Sequence, residues 1–200
     1  MSRAPKRRSG WLALACVFPA LTVAGAAWSG ETARTRTVRL DQGFVIDLPE
    51  GWTLEDPAEA TGDATGRMTV RLVCGTLPCK RTLEVCTLFL RRDPVDGEGD
   101  DTARLDGLYA SPTSRYTRIR SALKSTSRDA TLRGEFGKVR FGTRLWYAVE
   151  TQAANRFKSG LFAATVIDGR YLGAICKTCE TGEIRHEAAR ALLGSARRSE

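Results

Sequence analysis

Apolar and polar residues alternate along several short segments of the chain, which predicts β-strands with one buried face. In the segment 67–74 the apolar side chains fall at every second position, and segments 136–141 and 143–152 repeat this pattern. The segment 82–91 is apolar on both faces, which indicates a central strand covered on both sides. The chain therefore contains a β-sheet with at least one fully buried strand.

Turn residues predict two further pairs of strands. Segments 37–40 and 44–48 flank a turn that contains a glycine, and segments 161–167 and 170–176 flank Asp168-Gly169. An Asp-Gly pair between two apolar runs is a strong signal for a two-residue β-hairpin. We expect the last two segments to lie side by side and antiparallel.

Helical spacing of apolar residues predicts three helices. The first runs from residue 101 or 102 to 109 and is interrupted by Pro112, the second covers 114–124, and the third covers 182–196. Strands, a helical pair, a strand meander and a final helix form an α+β order with a mainly antiparallel sheet flanked by helices. Residues 36–198 are long enough for a single domain with its own core.

The first thirty residues have the three parts of an export signal. A basic start (Arg3, Lys6, Arg7 and Arg8) precedes an apolar run over 11–27 that ends in small residues. We expect 1–26 to be a signal peptide, cut after Ala26 or Ala27, and 27–35 to be a flexible lead. The alternative is a retained membrane anchor, but the run is short for a span and contains Pro19. After cleavage no stable membrane span is expected.

Removal of the signal lowers the positive charge. The formal charge of +8 on the full chain falls to +4, because the first 26 residues contain four basic and no acidic residues. This mild, mixed charge argues against nucleic acid as a partner. One basic cluster on the second predicted helix is a candidate site for an anionic partner, although a solvated helix face has the same pattern. Its members are Arg115, Arg118, Arg120, Lys124 and Arg128.

Five cysteines remain after cleavage, and four of them form two close pairs. Cys74 with Cys79, and Cys176 with Cys179, predict structural disulfides in an oxidising compartment, either local or crossed between the pairs. Cys86 lies in an apolar run and is interpreted as a buried small hydrophobe. Two alternatives stay open: a zinc site formed by the four paired cysteines, and thiol–disulfide redox chemistry at the CxxC of residues 176–179.

His186 is the only histidine, so a Ser-His-Asp mechanism would have to use it. In the last predicted helix it lies about 200° from the apolar Ile184, which predicts a solvent-exposed side chain. No catalytic constellation is found elsewhere, so we predict neither an enzyme nor a cofactor.

The sequence FVIDLPEGW at 44–52 resembles the opening of PsbP-like domains, in which a strand runs into a Pro-x-Gly-Trp turn. The order of elements over 36–198 is also similar. The resemblance implies an α-β-α sandwich with an antiparallel sheet, and an accessory or assembly role through binding other proteins; many secreted bacterial members have no assigned activity. The two cysteine pairs depart from the usual pattern, so no functional residue is carried over.

Together these patterns predict an exported protein, periplasmic or secreted, that is not an enzyme and that binds or assembles with an envelope partner. The alternative is a zinc-binding or redox protein that uses its cysteines.

Overall fold

The computed structural model describes residues 35–40, 43–55, 67–75, 82–179 and 186–199. The predicted signal peptide with its cleavage site at Ala26 or Ala27, nearly all of the predicted lead, and Cys79 lie outside the described residues.

The described residues form ten strands and three helices. In chain order the elements are β1 (Arg36–Arg39), β2 (Phe44–Leu48), β3 (Trp52–Leu54), β4 (Arg67–Cys74), β5 (Val85–Pro94), α1 (Asp101–Leu108), α2 (Pro112–Thr126), β6 (Thr131–Phe141), β7 (Arg144–Gln152), β8 (Ser159–Ile167), β9 (Arg170–Thr178), α3 (Glu187–Gly194) and β10 (Arg197–Arg198).

Seven of these strands form one sheet in the order β3-β4-β5-β9-β8-β7-β6, and every neighbouring pair is antiparallel. A smaller sheet has the order β1-β2-β10 and is also antiparallel. The predicted α+β class with a mainly antiparallel sheet is confirmed.

The large sheet is covered on both faces. One face packs against β2 and α3, which contribute Phe44, Ile46 and Leu192 to the larger apolar cluster. The other face packs against α1 and α2, which contribute Leu105 and Ala122 to a second cluster. Strand β5 supplies Cys86, Leu88 and Leu90 to the first cluster and Phe89 to the second, so the prediction of a central strand covered on both sides is confirmed.

The hairpin between β8 and β9 turns at Asp168-Gly169, as predicted. Both residues have positive φ angles, 48° and 73°, which a two-residue turn of the primed type requires. The carboxylate of Asp101 accepts hydrogen bonds from both backbone N–H groups of the turn, each at 2.8 Å. The start of α1 is therefore fastened to the end of the central hairpin.

Two helix boundaries differ from the prediction. Pro112 opens α2 with Ser111 as N-cap, because the first helical position needs no N–H. The predicted last helix, 182–196, is observed as the shorter α3, and Arg197 and Arg198 leave it to pair with β2 as β10. In the described part of the chain, no helix is long and apolar enough to cross a membrane.

Candidate functional site

The predicted cysteine pairing is wrong at Cys86, Cys176 and Cys179. Cys86 is joined to Cys176, and Cys179 is a free, half-buried thiol. The reason is the register of the sheet: Cys86 on β5 lies directly opposite Cys176 on β9, with the two Cα atoms 4.0 Å apart. Spacing of cysteines along the chain does not show this contact, because 90 residues separate the two positions.

Cys74 is also in a disulfide, and its predicted partner Cys79 lies outside the described residues. A cysteine binds zinc as a thiolate, and neither Cys74 nor Cys176 is a thiolate in this oxidised form. Among the described residues, no cluster of three or more His, Cys, Asp or Glu side chains is arranged to hold a metal ion.

His186 is buried, so the prediction of a solvent-exposed histidine is wrong. Only 3% of it is accessible. It does not belong to α3 but precedes it as the N-cap residue, in a left-handed conformation with φ of 51°. This turns the ring inward, where Nε2 lies 2.7 Å from the hydroxyl of Ser159 on β8.

The Ser159–His186 pair is buried and links β8 to the residue before α3. The Ser159 hydroxyl lies within hydrogen-bonding distance of two groups, the carbonyl oxygen of Thr151 at 3.0 Å and Nε2 of His186 at 2.7 Å. A serine nucleophile has to reach its substrate. Burial, together with Arg190 and Arg133, lowers the pKa of His186 to about 4, and Ser159 is fully inaccessible.

The predicted basic cluster on α2 does not form one surface. The Nε atom of Arg115 donates to the backbone carbonyl of Tyr109 at 2.6 Å, so this side chain fastens the end of α1 to α2. Arg118 is half-buried and lines a cleft between the helices and the sheet. Arg120 is two residues further and thus about 200° around the helix, on the outer face.

The outer face of α2 carries an exposed row that we call the outer stripe, made of Tyr116, Arg120 and Lys124 at intervals of four residues. Arg128, also exposed, follows just after the helix ends. Tyr116 is 63% accessible, the highest value among the large exposed hydrophobic side chains of the described residues. No ion pair with a described carboxylate involves Arg120, Lys124 or Arg128.

On the inner side of α2 lies a cavity of about 370 Å³, which we call the Tyr171 cleft. Tyr171 on β9 lies across it, the end of α1 contributes Tyr109, and α2 contributes Arg118. Arg91 reaches it from β5. The rest of the lining is Leu108 together with serine and threonine residues at the start of α2: Ser111, Thr113, Ser114 and Thr117.

The Tyr171 ring is held against the sheet because residue 173 is a glycine. A Cβ atom at Gly173 would lie 2.7 Å from the Tyr171 hydroxyl and 3.0 Å from its ring carbon Cζ. The guanidinium carbons of Arg91 and Arg118 lie 5.2 Å and 5.8 Å from the centre of this ring, within the range of cation–π attraction. Two like charges therefore meet at one aromatic side chain.

The two tyrosine hydroxyls of the cleft share one hydrogen bond. The oxygens of Tyr109 and Tyr171 are 3.4 Å apart, and both residues are at least nine-tenths buried. Burial is the main cause that raises the pKa of Tyr109 far above its usual value, so this hydroxyl stays neutral. Sequence reasoning missed the cleft because Arg91, Tyr109 and Tyr171 come from three distant elements and carry no shared motif.

A second cavity, of about 400 Å³, lies beside the N-terminus of α1. The charged side chains that line it already form ion pairs or hydrogen bonds within the protein. Arg144 lies 3.8 Å from Asp101, which also accepts from the hairpin turn, and Arg140 donates to the carbonyl of Thr143. The Tyr171 cleft differs because its lining contains no carboxylate.

No protein-family model matches the chain, and no curated protein matches it. Among solved structures, the chain is similar to the solution structure of cyanobacterial PsbP (CyanoP) from Synechocystis sp. PCC 6803. The identity is 15% and the TM-score 0.44, over 88% of this chain and 98% of that one. It is also similar to a crystal structure from Bacteroides thetaiotaomicron VPI-5482 at 1.50 Å resolution. Here the identity is 12% and the TM-score 0.41, over 82% of this chain.

The chain spans about half the length of the Bacteroides protein, 48%. At these identities and TM-scores, no functional property of this chain follows from either likeness.

Proposed function

We propose that this chain is an exported, non-enzymatic protein that acts by binding an acidic protein partner in the cell envelope through the outer stripe of α2. The observation that carries this proposal is the stripe itself. An accessible tyrosine lies beside two basic side chains that have no carboxylate partner among the described residues.

The composition of the stripe supports a protein partner. Tyrosine and arginine are the residue types most enriched where protein interfaces concentrate their binding energy. The Tyr116 ring is 63% accessible, and exposing apolar surface to water is unfavourable. Covering the ring with a partner surface therefore lowers the free energy of the complex. Because the neighbouring charges are positive, complementarity calls for an acidic surface on that partner.

The non-enzymatic part of the proposal rests on the arrangement around His186. Its ring is hydrogen-bonded to Ser159 inside the core, and both side chains are buried out of reach of a substrate. No other histidine exists in the chain, and the accessible serines of the Tyr171 cleft have no histidine beside them.

Export is supported by the basic and apolar pattern of residues 1–26 and by the Cys86–Cys176 disulfide, since such bonds persist in oxidising compartments. The test is fractionation of cells that express the full chain, followed by N-terminal sequencing. We expect a product that begins at Ala27 or Trp28 outside the cytoplasm. A cytoplasmic product that retains its first 26 residues would contradict export.

The binding proposal is tested with matched charge reversals. The mature chain is immobilised and exposed to an envelope fraction, beside an Arg120→Glu/Lys124→Glu variant and an Arg36→Glu/Arg39→Glu control. Both variants lower the net charge by the same amount, and Arg36 and Arg39 are exposed on β1 without a described ion pair.

We expect a partner that the wild type and the control retain and that the α2 variant loses. Higher salt should release it from the wild type, because screening weakens attraction between exposed charges. Equal retention of the envelope protein by all three chains would show that it adsorbs non-specifically and does not bind through the outer stripe.

A further inference from the structure

We propose that the Tyr171 cleft is a binding site for a small molecule that carries an oxyanion group: a phosphate, a sulfate or a carboxylate. This site lies on the inner side of α2 and goes beyond the proposed partner surface on its outer side. Three independent features of the cleft lead to this assignment.

The first feature is uncompensated positive charge. Arg91 and Arg118 converge on the ring of Tyr171, and neither forms an ion pair with a described carboxylate. The cleft lining contains no Asp or Glu. An anion bound between the two guanidinium groups would offset their mutual repulsion, and their planar donor pattern matches the geometry of phosphate and carboxylate oxygens.

The second feature is a hydroxyl hydrogen without an acceptor. Tyr109 and Tyr171 are 1% and 5% accessible, and their two hydroxyls make a single hydrogen bond with each other. Among the described residues neither hydroxyl has another partner. When one hydroxyl donates to the other, the second hydroxyl hydrogen has no acceptor among the described residues, and both side chains line the cleft. A buried donor of this kind calls for an acceptor atom from a ligand.

The third feature is size and lining. A volume of about 370 Å³ exceeds the room that a bare ion needs and lies in the range of small-molecule pockets. Leu108 and the tyrosine rings give the cavity an apolar side, while Ser114 and Thr117 add short hydroxyl groups. The occupant that fits is a small organic molecule with the oxyanion at one end.

The test is calorimetric titration of the mature chain with phenyl phosphate, inorganic phosphate and sulfate, with phenol as the matched uncharged probe. We expect binding of the oxyanions and none of phenol. Arg91→Gln and Arg118→Gln should each weaken phenyl phosphate binding about tenfold or more, the usual effect of losing a hydrogen bond to a charged group.

Arg92→Gln is the control for Arg91→Gln. Arg92 is the next residue on β5, is exposed, and does not line the cleft. We expect phenyl phosphate to bind this variant as it binds the wild type. Tyr171→Phe keeps the ring and removes the hydroxyl, so it should weaken binding several-fold while the thermal unfolding midpoint without ligand stays close to that of the wild type.

Two results would overturn the proposal: no heat of binding with any oxyanion at millimolar concentration, or an equal loss of affinity in the Arg91→Gln and Arg92→Gln chains. Either result leaves the outer-stripe proposal standing, since the charge reversals on α2 test that surface separately.

Discussion

At the scale of single residues, His186 combines a left-handed backbone with a buried, uncharged ring. Its Nε2 shares a hydrogen bond with Ser159, and burial, together with the charges of Arg190 and Arg133, opposes protonation of the ring. The pKa of His186 is therefore lowered from the ordinary 6.5 to about 4. The histidine contributes to stability only in its neutral form.

This shift predicts a pH dependence of folding. Between pH of about 6.5 and about 4 the unfolded chain binds a proton at His186 and the folded chain does not, so the free energy of unfolding decreases as pH falls. The full loss is on the order of 3 kcal/mol. Urea unfolding at pH 7.5 and 4.5 measures it, with His186→Asn for comparison because asparagine tolerates the left-handed conformation. An unchanged pH dependence in the variant would contradict the assignment.

Gly160 sets how closely α2 approaches the sheet. The hydroxyls of Thr126 on α2 and Thr151 on β7 bond to each other at 2.7 Å directly over Gly160. A Cβ atom at residue 160 would lie 2.2 Å from the Thr126 hydroxyl.

Gly160→Ala should therefore lower the free energy of unfolding by about 1–3 kcal/mol, as overpacking of a core does. The control is Gly137→Ala on β6, where nothing lies within 4 Å of the added atom. Urea denaturation compares the two variants with the wild type. An equal decrease in the free energy of unfolding at both positions would contradict this, because it would show that replacing any strand glycine has this effect and that contact with the Thr126 hydroxyl is not the cause.

At the scale of elements, the Cys86–Cys176 bond joins β5 to β9, which are neighbours near the middle of the seven-stranded sheet. The loop that it closes contains α1, α2 and strands β6 to β8. A bond that closes so long a loop removes much conformational freedom from the unfolded chain.

Peptide mapping of the unreduced protein should therefore find Cys86 linked to Cys176, and only Cys179 of these three should react with iodoacetamide. Cys86→Ala/Cys176→Ala should lower the free energy of unfolding by about 2–5 kcal/mol, while Cys179→Ser changes it little because that thiol is unbonded and half-buried. Recovery of a Cys176–Cys179 link would contradict the pairing.

The elements also show what sequence reasoning can reach. An apolar run predicted β5, and the Asp168-Gly169 turn predicted β8 and β9, because such signals are local. His186 was misplaced because its predicted orientation assumed that it lies inside a helix, whereas it is the N-cap residue of α3, which begins at Glu187. The disulfide and the Tyr171 cleft depend on which distant strands become neighbours, and no local pattern encodes that choice.

At the scale of the whole molecule, the described chain separates structural polar groups from accessible ones. His186, Ser159 and the two threonines over Gly160 are buried between sheet and helices, and they hold elements together. The outer stripe of α2 is exposed, and the Tyr171 cleft is a cavity next to the same helix. Helix α2 therefore presents two candidate binding surfaces, one on each side.

The most direct test of binding through the outer stripe is site-specific photocrosslinking in the envelope. A photoreactive phenylalanine analogue replaces Tyr116 in one exported chain and Leu83, a 40% exposed apolar residue before β5, in another. The account predicts one covalent adduct from position 116, lost when Arg120→Glu/Lys124→Glu is added, and no such adduct from position 83. An adduct of equal yield from both positions, or one that survives the charge reversals, would contradict it.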